Sequence, residues 1–135
     1  MAVYHGYDAV LEIAGVDLSD HVTALEVMES YDTIDTEAFG STHKAPIAGL
    51  GSFTLTATFQ QDQAAGETYD SLNGLVGTVA TFLAKYSNTT TSSTNREFTG
   101  SVLITEFAHL NAEIGSLDTF SVTWPGSGAI TIATS

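Results

Sequence analysis

Residues 51–61, GSFTLTATFQQ, constrain the fold more than any other part of the chain. Phe53, Leu55, Ala57 and Phe59 alternate there with serine, threonine and glutamine. A period of two predicts a β-strand with one buried face and one solvent-exposed face. Such a strand needs neighbouring strands to pair with its backbone and a second layer to cover its apolar side. The fold must therefore contain a sheet that packs against another layer.

Seven other segments have strand-like patterns, with turn residues between them. The predicted strands are residues 7–14, 22–28, 31–39, 78–86, 97–108, 117–124 and, as a short last strand, 129–133. Short strands at regular spacing are typical of a β-sandwich or barrel. The polar segments 40–50 and 87–95 are predicted loops, and the second is expected to be mobile in the isolated chain.

One segment changes period. Tyr69, Leu72, Leu75 and Val76 form a helical stripe, so a helix of about three turns is predicted, opening near residue 62 or 66 and closing at Gly77. The fold class is therefore all-β with one helix: a sandwich or barrel of seven to eight strands flanked by a short α-helix. The predicted core side chains are Phe53, Leu55, Phe59, Leu72, Phe120, Val122 and Trp124.

The composition limits the partners of the chain. Its 135 residues predict a single domain, residues 1–135, and they carry 3 basic and 16 acidic side chains, a formal net charge of −13. Lys44, Lys85 and Arg96 are too few to make a basic patch, so nucleic acid and anionic membranes are repelled. No stretch approaches the ~20 apolar residues of a membrane span.

The sequence predicts no catalytic, cofactor-binding or metal site. The four histidines lie in separate segments, without the HxH or HExxH spacing of a metal site. The acidic run DTIDTE lacks the pattern of a calcium loop. No cysteine and no GxSxG elbow supplies a nucleophile. We therefore expect a protein that is not an enzyme.

Three segments together resemble a known family. Residues 15–40 (GVDLSDHVTALEVMESYDTIDTEAFG), 51–78 (GSFTLTATFQQDQAAGETYDSLNGLVGT) and 98–131 (FTGSVLITEFAHLNAEIGSLDTFSVTWPGSGAIT) are similar to the short major tail proteins of long-tailed bacteriophages, especially those of actinobacteria. The order of strand, helix, polar loop and the closing SVTWPGSG carries the resemblance.

The resemblance implies a tail-tube subunit of the virion. Copies would close into hexameric rings by pairing sheet edges, and the rings would stack into a hollow tube that conducts DNA without binding it specifically. It also implies tape-measure and tail-terminator proteins as partners and assembly in the host cytoplasm. An acidic wall would keep the phosphate backbone from sticking.

Two sets of residues are candidates for roles in such a tube. Asp32, Asp35 and Glu37 are the candidate lumen-lining acids, because they lie on a predicted strand, with Asp35 and Glu37 sharing a face. Equally, they could face outwards and keep a tube soluble. The candidate inter-ring loop consists of Asn88, Thr89, Thr90, Thr91, Ser92, Ser93 and Thr94.

Two alternatives remain at this stage. A capsid-decoration or head–tail joining protein would share the β-rich fold and the self-association. A glycan-binding module would use Trp124, followed by Pro125, as a platform for stacking a sugar ring.

Overall fold

The computed structural model describes residues 8–63, 68–112 and 114–135. Within these residues, eight strands and one α-helix follow one another along the chain. The strands are β1 (Val10–Ile13), β2 (Val16–Asp17), β3 (Val22–Ile34), β4 (Ile47–Gln60), β5 (Val79–Lys85), β6 (Glu97–Leu103), β7 (Thr119–Pro125) and β8 (Thr131–Ala133), and the helix is α1 (Thr68–Asn73). A single 3-10 turn, Ser19–His21, leads into β3.

The strands form two antiparallel sheets that pack as a sandwich. One sheet has the order β2-β1-β5-β6-β8 and the other has the order β3-β4-β7. Phe53 of β4 meets Phe82 of β5 across the gap, with 5.7 Å between ring centroids. The all-β fold with one short helix is therefore confirmed.

The core lies between the sheets. All seven predicted core side chains are buried, and Leu55, Phe59, Leu72 and Trp124 have no exposed surface. Phe59 stacks on Phe120 at 5.5 Å. Burying a side chain of this size stabilises the fold by about 1.5–3 kcal/mol, so the strict alternation in β4 determines which side of its sheet faces inwards.

The first hairpin uses a turn that the sequence marks only in part. Ile13 pairs with Val16, so Ala14 and Gly15 form a two-residue loop. Both have positive φ, 53° and 82° respectively. This is the geometry of a type I′ turn, whose twist matches that of the strands. Ala14 therefore occupies a left-handed conformation that alanine rarely adopts.

Three predicted boundaries are wrong around the longest hairpin. The predicted strands 22–28 and 31–39 are one continuous strand, β3, which ends at Ile34. Glu29 and Ser30 do not interrupt it, because Ser30 pairs with Ser52 on β4. The predicted loop 40–50 also ends too late, since β4 begins at Ile47. A long strand pair satisfies backbone groups that a loop would leave to water.

The helix and the strand after the polar loop both end earlier than predicted. The described part of helix α1 ends at Asn73 instead of Gly77, and Leu72 anchors it in the core. Gly66 and Glu67, one predicted start of the helix, lie outside the described residues. Strand β6 ends at Leu103 instead of residue 108. The next residue, Ile104, instead exchanges backbone hydrogen bonds with the chain at Gly77 and Thr78.

Candidate assembly surface

The β3–β4 hairpin extends beyond the sandwich as a two-stranded arm. Strand β7 pairs with β4 only from Thr54 to Gln60, whereas β3 pairs with β4 as far as Ile34 and Ile47. We call residues 28–52 the arm. Within the described residues, no third strand pairs with the arm, although both of its strands belong to the three-stranded sheet nearer the core.

The arm exposes large apolar side chains. Leu50 is 82% exposed and Tyr31 is 59% exposed, and Met28, Ile34 and Ile47 are each more than half exposed. An isolated two-stranded ribbon is at best marginally stable in water. Exposed apolar side chains that are grouped on one element, unlike scattered ones, usually mark an interaction site. The arm therefore has the character of a surface that another molecule covers.

Tyr31 and Gly51 explain the local shape of the arm. They are paired across the two strands, and a Cβ atom at Gly51 would lie 2.6 Å from the Tyr31 ring. The Tyr31 ring therefore occupies the space that a side chain at position 51 would have used. A register shift follows between Tyr31 and Thr33, which bends the outer part of the arm.

The three candidate lumen acids all belong to the arm. Asp32 lies on β3, but Asp35 and Glu37 lie in the connection after the strand has ended, and all three are exposed. The prediction that Asp35 and Glu37 share a strand face is therefore wrong. The strand ends sooner because the two chains of the hairpin stop pairing at Ile34 and Ile47. Their position in a lumen stays a prediction.

The candidate inter-ring loop is folded on itself. Asn95 is 3% exposed, and its Nδ2 donates hydrogen bonds to the carbonyl oxygens of Ser87 (3.0 Å) and Thr89 (3.2 Å). The Ser87 amide donates in turn to Asn95 Oδ1. The mobility expected for this loop is thus limited by one buried amide, which the composition of the segment does not reveal. Asn88, Ser93 and Thr94 remain exposed, and a role in stacking stays a prediction.

Trp124 is not a sugar platform. Its side chain is fully buried, and its indole Nε1 donates to the carbonyl oxygen of Glu106 at 3.0 Å. Its ring contacts Phe59, with 6.1 Å between centroids. A sugar ring needs an exposed aromatic face, so the prediction of a glycan-binding module at Trp124 is wrong. A strand that alternates this regularly places its aromatic residues in the core.

The edges of the three-stranded sheet differ from each other. Among the described residues, no strand pairs with the outer edge of β3 along its 13 residues. On the opposite edge, the Thr123 amide donates to Glu106 Oε1 (2.9 Å), and the Thr119 carbonyl accepts a bond from Asn111 Nδ2. Pro125, which has no N–H, ends that strand. The edge of β7 is therefore partly covered by the chain itself, and β3 offers the open backbone.

A cleft of about 580 Å³ opens between the sheets beside β3. Its lining combines apolar side chains with charged ones: Leu25, Val27, Phe98, Ile130 and Ile132, and Glu26, Glu29 and Lys85. The arm meets this cleft at Glu29. In the described ranges, no cluster of three or more metal-binding side chains occurs.

Near the helix, His21 joins two segments. Its Nδ1 and Nε2 lie 2.9 Å from carboxylate oxygens of Asp20 and Asp62 respectively. Only a doubly protonated ring donates to both carboxylates. The bridge ties the turn before β3 to the segment that leads to α1, which is a structural role. None of the helices in the described part of the chain has the length and apolar character to cross a bilayer.

The fold is similar to chains in two solved structures. One, "Virion of native gene transfer agent (GTA) particle", matches with a TM-score of 0.76 and 13% sequence identity, covering 98% of this chain and 100% of that chain. This chain therefore shares its fold with a chain of that virion. The other, "Tail of empty GTA particle computed with helical refinement, C6 symmetry", matches with a TM-score of 0.74 and 14% identity over 98% and 100% of the two chains. No protein-family model and no curated protein sequence matches the chain.

Proposed function

We propose that this chain is the major subunit of a phage-like tail tube, that it assembles into stacked hexameric rings, and that the resulting conduit carries DNA. The arm is the observation that carries the proposal. It exposes Tyr31, Leu50 and their apolar neighbours on a ribbon that no second layer covers among the described residues. In a tube, a second copy covers that surface.

The shared fold supports the same proposal. Both similar structures are of gene transfer agent particles, and one is described as a tail with C6 symmetry. Near-complete coverage of this chain and of both neighbours means that the arm and the sandwich match together. When one surface of each copy binds a different surface of the next, the copies form a closed ring if the rotation between neighbours divides 360° evenly. We propose six copies per ring.

The charge of the chain fits a conduit for DNA. With −13 per copy, a ring carries a large negative field, which opposes tight binding of phosphates. That field extends only about 8 Å at physiological salt. DNA in a tube would therefore feel the side chains of the wall and little of the outer surface.

The proposal extends to the context of the tube. The chain would reside in the virion tail after assembly in the host cytoplasm, with tape-measure and tail-terminator proteins as partners. The actinobacteriophage type remains part of the proposal. The alternative is a capsid-decoration or head–tail joining protein, which would bind a shell or form a single ring.

Electron microscopy of the purified, concentrated protein tests the function. We expect tubes of uniform diameter, with six subunits in each end view. Single rings that never stack would favour the head–tail joining protein. A protein that stays monomeric at high concentration would overturn both, because the arm would then need no partner.

A further inference from the structure

The outer side of the three-stranded sheet carries a continuous array of hydroxyl groups. Its members share one side of β4 and β7, on alternate positions. They are Ser52, Thr54, Thr56, Thr58, Thr119, Ser121 and Thr123. We call this surface the hydroxyl face. We propose that it lines the conduit, so that DNA slides along paired hydroxyl groups instead of a wall of acids; this rests on the proposed function.

The hydroxyl face is the only side of this sheet that remains available within the described residues. The opposite side holds Phe59, Val122 and Trp124 in the core. On the hydroxyl face, Thr58 Oγ1 lies 2.8 Å from Ser121 Oγ, and Thr56 Oγ1 lies 3.2 Å from Thr123 Oγ1. These hydroxyls therefore bond one another across the strands, which leaves them fewer bonds to offer a phosphate.

The sheet edges decide which of the two sheets forms a continuous wall. The five-stranded sheet ends in β2, with two residues, and β8, with three. Neither edge is long enough to align a neighbouring copy. The three-stranded sheet presents β3, with 13 residues and an open backbone. In a closed ring, β3 meets the opposite margin of the same sheet in the next copy, formed by β7 and residues 104–111 beside it.

The distribution of charge points to the same side. The three basic residues all lie elsewhere: Lys44 in the arm, Arg96 before β6, and Lys85 on β5, where its Nζ donates to the Thr89 carbonyl. Within residues 22–30, 52–60 and 119–125, the hydroxyl face has a single charged side chain, Glu26, which pairs with Thr56.

A surface with no cation and one carboxylate per copy suits a passing polyanion. Without lysine or arginine it has no strong contact for a phosphate. Because Glu26 is its one carboxylate, the hydroxyl face repels the phosphates of DNA only weakly. DNA is therefore neither bound tightly nor kept out of the conduit. Asp32, Asp35 and Glu37 belong to the arm, beyond the residues that make up the hydroxyl face.

The absence of cysteine from the sequence makes the test direct. Ser121→Cys replaces one oxygen by sulfur on the hydroxyl face, and Thr81→Cys places a thiol on the exposed outer side of the other sheet as the matched control. Each variant is treated, as dispersed subunits and as assembled tubes, with N-ethylmaleimide and with a maleimide attached to a long polyethylene glycol chain.

We expect tubes of Ser121→Cys to lose reaction with the large reagent and to keep reaction with N-ethylmaleimide, which diffuses through the lumen. Tubes of Thr81→Cys should react with both. Full reaction of Ser121→Cys with the large reagent would show that this face lies on the outside of the tube. Loss of both reactions would show that it is buried between copies, and either result overturns the inference.

Thr58→Cys repeats the test if Ser121→Cys does not assemble. A wild-type protein that forms no tubes overturns the proposed function itself.

Discussion

Single residues in this protein show how closely the backbone and the core approach each other. Gly126 donates its amide to the Phe53 carbonyl at 2.7 Å, and a Cβ atom there would lie 2.4 Å from the Phe53 ring. Gly100 of β6 approaches the same ring, because a Cβ atom at Gly100 would lie 3.3 Å from Cζ of Phe53. One aromatic ring therefore lies between two glycines, and neither position has room for a side chain without movement.

Gly126→Ala is expected to destabilise the fold by about 1–3 kcal/mol, because a rigid ring in the core would have to move. Chemical denaturation measured by tryptophan fluorescence gives the change, since Trp124 is fully buried. The control is Gly74→Ala, whose Cβ would meet nothing within 4 Å. It should leave stability unchanged or raise it by up to ~1 kcal/mol. Equal losses in both variants would contradict the role of the Phe53 contact.

At the scale of elements, the arm and the sandwich have different sources of stability. The sandwich buries its side chains internally, and Leu55 and Phe59 of β4 are fully buried. Further back along the same strand, Ile47 and Leu50 are exposed. One strand thus serves the core at one end and, in the proposed assembly, contacts a second copy at the other. Substitutions at the two ends should separate folding from assembly.

The double variant Tyr31→Ser/Leu50→Ser should fold as well as the wild type but fail to form tubes. Neither side chain belongs to the core, and both are exposed in the single chain. Val79→Ser is the matched control, since Val79 is 56% exposed on the other sheet. Circular dichroism would check the fold, and electron microscopy would count tubes. Tubes of normal length and yield in the double variant would show that the arm is not the contact between copies.

Replacement of residues 88–94 by a short Gly-Ser turn tests the other predicted contact. Asn95 stays in place, but it loses its bonds to Thr89, so a modest loss of about 0.5–1.5 kcal/mol per hydrogen bond is expected. The subunit should remain folded while ring stacking is impaired. Tube length by microscopy is the measurement, and unchanged length and yield would remove the loop from the inter-ring contact.

At the scale of the whole molecule, charge opposes assembly. Each copy carries −13, so bringing copies together raises the electrostatic free energy of the ring. The proposed contacts between copies are apolar or made by backbone groups. Added salt therefore weakens only the repulsion between the negatively charged copies. This balance gives assembly a definite dependence on ionic strength.

Tube yield should therefore rise between low salt and physiological salt, because the screening length falls from about 30 Å at 0.01 M to about 8 Å at 0.15 M. The yield is measured by sedimenting the tubes at a fixed protein concentration. The arm variant provides the control, since it should stay dispersed at both salt concentrations. A yield that falls with added salt would mean that ion pairs, and not the arm, hold the copies together.

Several features of this protein follow from local pattern. Alternation in residues 51–61 determined the side of β4 that faces inwards, and the same rule correctly buried Phe120 and Val122. The backbone geometry of a strand places successive side chains on opposite faces, so the sequence alone shows which residues share the buried face, even when the partner strands are unknown. The all-β class with one short helix follows in the same way, and so does the buried position of Leu72 in α1.

Other features depended on contacts between distant parts of the chain. Strand β3 continues through Glu29 and Ser30 because β4 pairs with it, although that stretch is too polar to predict as a strand. The same pairing ends at Ile34, which removes Asp35 and Glu37 from the sheet. Asn95 orders its loop through bonds that no composition rule anticipates. Local sequence determined which apolar side chains of the strands are buried, and only tertiary pairing decided where strands end, which edge stays open and which apolar side chains of the arm stay exposed.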